Sequence, residues 1–265
     1  MSSQILFFDQ PRSGSHMLLR MLTERQTNVK VLERLFSESR RPQITWLQSA
    51  NYADAMDPHI RKDWSVHALL IFCHAFFPVA PEVILQYLHD ISAPSPASEN
   101  ITVIPDELLY GSDTKLLLSI RDPRLAVPSA YRTMAKMSLA SAGGRPNYLE
   151  RETFIVDFDS LEDPAYVRAL SAELGFEPAN VATTWAAATK DEIDKTHPMY
   201  YASQSTLIES SDFIHGKMAK GVDFAEEERK WQDEFGDDAA LVKDMVELTM
   251  PHYQYLYERR WQMEQ

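Results

Sequence analysis

The sequence predicts an α/β fold, built as a three-layer sandwich in which helices flank a central parallel sheet. Short apolar runs bounded by polar turns alternate with segments of helical periodicity, which is the pattern of βαβ units. With 45% hydrophobic and 25% charged residues among 265, the chain has the composition of a globular protein. No internal repeat and no linker rich in proline and glycine divides it, so we expect one domain over residues 1–265.

The chain opens as a strand, a tight polar turn and a helix. Residues 4–8 form a short apolar run that ends at Asp9, and such a run is typical of a buried strand. After the polar residues 13–15, apolar side chains recur at helical spacing from Met17 to Leu22. The polar turn therefore connects the end of a strand to the beginning of a helix.

Three further apolar runs are predicted as strands: residues 67–72, 115–120 and 153–157. Pro123 favours a helix that starts just after the second of these runs, because proline suits the first turn of a helix. A helical pattern over residues 162–173 stops before Gly175, and glycine is the usual residue just past a helix end. Strands and helices thus alternate along the chain.

The C-terminal part of the chain combines a weak pattern with a strong one. Residues 188–222 show little periodicity, which predicts a long ordered loop or lid. Residues 225–262 carry apolar side chains at helical spacing, and we expect two closing helices there.

The charge of the chain is strongly acidic but unevenly distributed. A formal net charge of −13 makes nucleic acid and anionic membranes poor partners. Residues 1–41 nevertheless hold seven basic and four acidic side chains, a net of +3. The sequence therefore excludes large polyanions as expected partners and leaves room for a small anion near the N-terminal end.

The cysteine content and the apolar runs indicate where the protein works. Cys73 is the one cysteine, so no internal disulfide can form, which favours a reducing compartment. No apolar run reaches the roughly 18 residues of a membrane helix. The first eight residues lack the basic start and long apolar stretch of a secretion signal. We therefore expect a cytoplasmic protein.

The turn between the first strand and the first helix has the chemistry of an anion site. A helix N-terminus presents unpaired N–H groups and the positive end of its dipole. One of only 8 glycines, Gly14, lets the backbone approach a ligand closely, and Arg12 adds a forked positive charge. The lysine of a Walker A loop is absent, so nucleoside triphosphate hydrolysis is not predicted. The alternative is a capped helix with its arginine in solvent.

A second candidate site follows the strand at 115–120. Arg121 lies just past the strand end, where open α/β sheets bind ligands, and Ser129 lies eight residues further along the next helix. An arginine and a hydroxyl that converge on one point suit a phosphate group. The alternative is a strand-end pair between Arg121 and Asp122 followed by an ordinary helix start.

Together these segments resemble the PAPS-dependent sulfotransferase family, whose donor is 3′-phosphoadenosine 5′-phosphosulfate (PAPS). Residues 11–15 read Pro-Arg-Ser-Gly-Ser, as in the family's phosphosulfate loop. Arg121, Ser129 and Tyr131 keep the spacing of its second motif, and residues 158–164 are similar to its third. The later part of the chain also resembles a fungal sulfotransferase-like branch, through the segments Lys230-Trp231, Phe235-Gly236 and Pro251-His-Tyr253.

The resemblance implies a P-loop-like fold and a set of donor-binding residues. The 5′-phosphosulfate would be held by the first loop and the start of its helix: Arg12, Ser13, Gly14, Ser15, His16 and Met17. Arg121 and Ser129 would hold the 3′-phosphate. His74, just past the second predicted strand, would be the catalytic base, and Arg12 would stabilise charge on the transferred group.

The chain departs from the family pattern beside the expected base. Many relatives carry a lysine two residues before this histidine, whereas Phe72 stands here. Arg12 alone, or Lys217 from the long loop, would then supply the missing charge; otherwise transfer is slow or has been replaced. Lys217 and Lys220 are also the nearest counterparts of a family segment that closes over the nucleotide.

The predicted function is transfer of a sulfuryl group from PAPS to a hydroxyl or amine of a small molecule, such as a secondary metabolite. Divergent acid/base or elimination chemistry and a non-catalytic nucleotide-binding protein are the alternatives. No His-x-x-x-His pair occurs, so no metal is expected. An acceptor pocket would be lined by aromatic side chains that are otherwise core: Trp46, Phe76, Phe77, Tyr200 and Tyr201.

Overall fold

The computed structural model describes the following residues: 3–9, 12–33, 68–74, 104, 106–137, 153–196 and 198–263. The chain forms two compact units. The first comprises Met1–Asp9, Thr27–Leu118 and Ala142–Phe154, and the second comprises Gln10–Gln26, Ser119–Ser141 and Ile155–Gln265. The expectation of one domain stays a prediction.

All five strands contribute residues to the first unit, and they form one sheet in the order β2-β3-β1-β4-β5. Their bounds are β1 Ser3–Asp9, β2 Val29–Glu33, β3 Ala68–His74, β4 Thr114–Ile120 and β5 Thr153–Asp157. The strand β3 pairs in parallel with both β1 and β2, and its last residue, His74, lies opposite Asp9. The predicted α/β class, with a central parallel sheet flanked by helices, is confirmed.

The predicted strands are all present. Their runs are mostly apolar, so side chains on both faces of the sheet can be buried. In β1, Ile5, Leu6 and Phe7 are fully buried, as is usual for strands of a parallel sheet. The strand β2, which reads Val-Lys-Val-Leu-Glu, was not predicted. This strand lies at the edge of the sheet and is only five residues long, so its apolar run is too short to stand out.

Of the helices that the structure describes, all but one lie in the second unit. In chain order, the helices of the described residues are α1 Ser15–Thr23, α2 Asp106–Leu109, α3 Pro123–Met137, α4 Pro164–Glu173, α5 Lys190–Lys195, α6 Pro198–Ile208, α7 Phe224–Phe235 and α8 Ala239–Glu258. The helix α2 belongs to the first unit. Among the described helices, none is long and apolar enough to cross a membrane.

The ends of α4 follow from residues visible in the sequence. The Asp163 carboxylate accepts a hydrogen bond from the Ala165 N–H, and Pro164 occupies the first helical position. At the other end Gly175 adopts a φ of 83° and donates its N–H to the Ala172 carbonyl. The predicted helix and its glycine stop are confirmed.

The two predicted closing helices are present as α7 and α8. They meet in a small core made by Trp231, Val242 and Val246, against which Val127 and Tyr131 of α3 also pack. The helix that carries Ser129 is therefore fixed against the C-terminal helices. It runs through Pro128 without ending there.

The expectation of a long loop or lid over residues 188–222 is wrong. This stretch contains α5, α6 and a short 3₁₀ turn at His215–Lys217. The helix α5 has six residues and starts with a capping box between Thr189 and Glu192. In α6 the apolar and polar side chains are spread around the helix axis, so no helical stripe appears in its sequence.

Candidate anion-binding site

The loop before α1 has an unusual backbone conformation. Arg12 has a φ of 74°, in the left-handed region that residues with a side chain rarely adopt, and Gly14 has a φ of 81°. The Gly14 carbonyl accepts hydrogen bonds from the N–H groups of Met17 and Leu18. The left-handed backbone conformation of Arg12 costs about 1–3 kcal/mol, and such backbone strain is characteristic of functional sites.

Gly14 is required here for a second reason. A Cβ atom at this position would overlap the ring of Phe158. Phe158 begins the short 3₁₀ turn Phe158–Glu162 that follows β5, and its ring centroid lies 5.0 Å from the guanidinium carbon of Arg121. The aromatic residue of the third motif thus packs against both the loop and the arginine of the second motif.

The side chain of Ser13 ties the loop to the end of β4. Its hydroxyl lies 2.7 Å from that of Ser119, and both residues are buried. The sequence predicts Ser13 as a ligand contact; in the structure its hydroxyl pairs with that of Ser119, which no motif indicated. A lone serine inside an apolar strand gives little sequence signal.

Arg12 joins the two predicted motifs directly. Its Nε donates to the Ser129 hydroxyl at 2.9 Å, and its Nη1 donates to the backbone carbonyl of Ser203 in α6. The alternative of an arginine in solvent is therefore wrong. Because a backbone carbonyl is common to all residues, no sequence signal pointed to Ser203.

Arg121 is buried, with 7% of its surface exposed. Its Nη1 donates to the Arg12 carbonyl at 3.3 Å, and its Nη2 donates to the Lys217 carbonyl at 2.6 Å. Its Nε is also buried and has no hydrogen-bond partner among the residues that the structure describes. Asp122 instead holds the side chain of Arg124, at 2.6 Å, so Arg121 keeps donor capacity for a ligand.

Arg12, Arg121 and Lys217 form what we term the cation cluster. Burial, and then the positive charge of Arg12, lower the pKa of Arg121 to about 10. Burial and the charges of both arginines lower the pKa of Lys217 to about 8, and burial lowers the pKa of Arg12. Each of these charges is therefore less favourable than in water, and an anion among them would relieve the repulsion.

Asp159 holds the chain segment that carries Lys217. Its carboxylate accepts the N–H of Ala219 at 2.9 and 3.0 Å and that of Lys220 at 2.8 Å. The ammonium group of Lys220 is exposed and lies 3.5 Å from the Glu162 carboxylate. The structure therefore brings Lys217 to the cluster, while the Lys220 side chain pairs with Glu162.

The carboxylate of Asp157 lies at the end of β5 and is buried. It accepts the Tyr253 hydroxyl at 3.0 Å and the Asp159 N–H at 3.1 Å. Burial raises its pKa to about 6. Neither Asp157 nor its link to Tyr253 was predicted as part of a site, because the two residues are 96 positions apart.

Comparison with known proteins gives two relatives. The chain is 28% identical over 193 residues to Sulfotransferase ppzF of Metarhizium majus (strain ARSEF 297), and 26% identical over 193 residues to the protein of that name in Metarhizium rileyi (strain RCEF 4871). The predicted resemblance to a fungal sulfotransferase-like branch is confirmed. The matches cover 61% of this chain and 56% of each relative, so the chain spans just over half of their length. No family model matches the chain.

The remaining residues of the predicted phosphosulfate loop lie at the start of α1. Ser15 and Met17 are buried there. The His16 Nε2 lies 3.2 Å from the side-chain amide nitrogen of Gln204 in α6, a contact that suits an Nε2 acceptor. Tyr131, the last residue of the second motif, donates its hydroxyl to Asp238 and packs on Phe235.

The structure describes only some of the other predicted site residues. His74 ends β3, and its side chain lies outside the described residues. The same holds for the Tyr200 side chain and for Trp46, Phe76 and Phe77 as a whole. The Tyr201 hydroxyl donates to Glu209. Among the described residues, no three His, Cys, Asp or Glu side chains come close enough to hold a metal ion.

Proposed function

We propose that this chain transfers a sulfuryl group from PAPS to a hydroxyl or amine of a small-molecule acceptor, such as a secondary metabolite. The observation that carries the proposal is the cation cluster of Arg12, Arg121 and Lys217 beside the Ser129 hydroxyl. Three buried or half-buried positive charges at one place favour a ligand with several negative charges. The similarity to two proteins named sulfotransferase supports the same activity.

The donor set fits the two phosphate-bearing ends of PAPS. Arg121 would bind the 3′-phosphate through its buried Nε, together with the Ser129 hydroxyl. Because the Ser129 oxygen already accepts from Arg12, its own proton remains to be donated to a phosphate oxygen. Arg12 and the N-terminus of α1 would hold the 5′-phosphosulfate.

In the proposed reaction His74 takes the proton of the acceptor hydroxyl or amine as that group attacks sulfur. When bound, PAPS supplies the activated sulfuryl group. The new bond joins the acceptor to sulfur, and the bond between sulfur and the 5′-phosphate oxygen breaks. Arg12 and Lys217 stabilise the negative charge that develops on this oxygen, with Lys217 in place of the lysine that Phe72 replaces.

Binding of 3′-phosphoadenosine 5′-phosphate (PAP), the donor without its sulfuryl group, tests the site by isothermal titration calorimetry. We expect Ser129→Ala to weaken binding about tenfold and Arg121→Gln to weaken it more, because hydrogen bonds to charged groups contribute about 1.5–3 kcal/mol each. Ser171→Ala is the matched control, since this buried hydroxyl in α4 has no partner in the described part of the chain. If the unaltered protein binds no PAP at millimolar concentration, the donor assignment is wrong.

Replacing His74 with alanine tests the base. We expect turnover to fall by about 10²–10⁴, which is the usual contribution of a general base, while PAP affinity changes less than about twofold. Mass spectrometry of reactions with PAPS and a panel of phenols, alcohols and amines measures the product. His252→Ala, at an exposed position in α8, is the control. Full activity of the His74 variant would remove this residue from the mechanism.

Phe72 favours a second candidate function. Without a lysine before His74, sulfonation could serve to activate a hydroxyl for elimination or cyclisation. The sulfonated hydroxyl would then depart as sulfate, and the product would be lighter than the acceptor by one water. The same mass spectra separate the two functions, because simple transfer leaves a product that is heavier by one sulfuryl group.

A further inference from the structure

The hydroxyl of Tyr253 links the C-terminal helix α8 to the strand end beside the anion-binding site. It donates to the Asp157 carboxylate, which is 4% exposed. Tyr253 belongs to the segment Pro251-His-Tyr253, and the proposed reaction gives it no role. Burying a charged carboxylate is costly, and its hydrogen bonds offset part of that cost.

The hydrogen bonds continue from Asp157 to the segment that carries Lys217. The second carboxylate oxygen of Asp157 accepts the Asp159 N–H, which fixes the start of the turn Phe158–Glu162. The Asp159 carboxylate then accepts two backbone N–H groups, those of Ala219 and Lys220.

Two further contacts connect this turn and the segment 217–220 to the cation cluster. The Lys217 carbonyl, two residues before Ala219, accepts Nη2 of Arg121 at 2.6 Å. The Phe158 ring packs on Gly14 and lies beside the Arg121 guanidinium. The chain of contacts from Tyr253 therefore reaches the cluster by two routes.

We propose that Tyr253 and Asp157 are positioning residues for the anion site, which hold Lys217 and Arg121 in place through Asp159. This inference takes its ligand from the proposed function. Neither residue has to touch the donor. Their contribution is to fix the turn after β5, on which both the Phe158 ring and the segment 217–220 depend.

Protonation of Asp157 would weaken this chain of hydrogen bonds, although it also removes the cost of burying a charge, which acts on the stability of the whole fold. A neutral carboxyl group carries a proton on one oxygen, so that oxygen accepts hydrogen bonds less well. Burial raises the pKa of Asp157 to about 6, and the Asp159 charge acts in the same direction. The hydrogen bonds from the Asp159 N–H and the Tyr253 hydroxyl, together with the Arg260 charge, oppose this rise. Arg121 and Tyr166 also face this charge. The position of the segment 217–220 should therefore depend on pH near 6.

The substitution Tyr253→Phe tests the inference, with Tyr257→Phe as its matched control. Tyr257 lies on the same helix, and its ring centroid is 5.5 Å from that of Tyr253. In the first variant we expect hydrogen exchange at the Ala219 and Lys220 amides to be about tenfold faster, and PAP binding about tenfold weaker, as for the loss of one hydrogen bond to a charged group. The control should change neither by more than about twofold.

The dependence on pH gives a second measurement, which needs no unstable variant and no ligand. In the unaltered protein, protection of the same two amides, corrected for intrinsic exchange, should fall as the pH drops through 6. Asp157→Asn should show no such step. Equal exchange in the two tyrosine variants, or protection that does not change across this range, would overturn the inference. Failure of the unaltered protein to bind PAP would refute the proposed function instead, and the exchange measurements would still decide the positioning role.

Discussion

An alanine at position 14 would place its methyl group in the Phe158 ring, at a φ of 81° that side chains disfavour. We expect Gly14→Ala to lower the free energy of unfolding by about 1–3 kcal/mol and to weaken PAP binding, because Phe158 must move away from Arg121. Urea denaturation and calorimetry measure the two effects. Gly216→Ala is the control, since a Cβ atom there meets no described atom within 4 Å. Equal stability of both variants would contradict this account of the loop.

The sequence predicted some helices and strands and missed others, and the extent of burial explains the difference. The runs that became β1, β4 and β5 are mostly apolar and largely buried, so they stand out from the neighbouring sequence. The helix α6 has no apolar stripe, and the edge strand β2 is short, so neither gave a signal. Elements that are only partly covered by the rest of the chain leave a weak trace in the sequence.

The sequence predicted the charged and polar side chains of the candidate site, but it did not predict the groups that hold them in place. Motif spacing pointed to Arg12, Arg121 and Ser129, and the structure places the first and third in contact. The supports are backbone carbonyls, such as that of Ser203, and polar side chains far away in sequence, such as Asp157. Such partners are specified by the fold, and a pattern of neighbouring residues cannot reveal them.

At the scale of the whole molecule, the net charge of −13 describes the surface of the protein and not the candidate anion-binding site. Residues 222–250 carry ten acidic and three basic side chains, and the acidic ones are mostly exposed on α7 and α8. The cation cluster is buried or half-buried, where charges are screened less by solvent. An acidic protein can therefore bind a small polyanion at one place.

The stability of the whole protein should fall as the pH rises through the titration of Asp157. The pKa of this buried carboxyl is about 6, against an ordinary value of 3.8. Between these two pKa values the folded state keeps a proton that the unfolded state has lost, so the free energy of unfolding decreases with rising pH. The loss continues through pH 6 and is complete about one pH unit above it. Asp157→Asn removes this titration, and any change in its hydrogen bonds adds an offset that does not vary with pH. Urea denaturation should therefore show the unaltered protein losing about 1–2 kcal/mol relative to the variant between pH 5 and 7.5. Parallel pH profiles of the two proteins would show that the Asp157 carboxyl titrates no differently in the folded and unfolded chains.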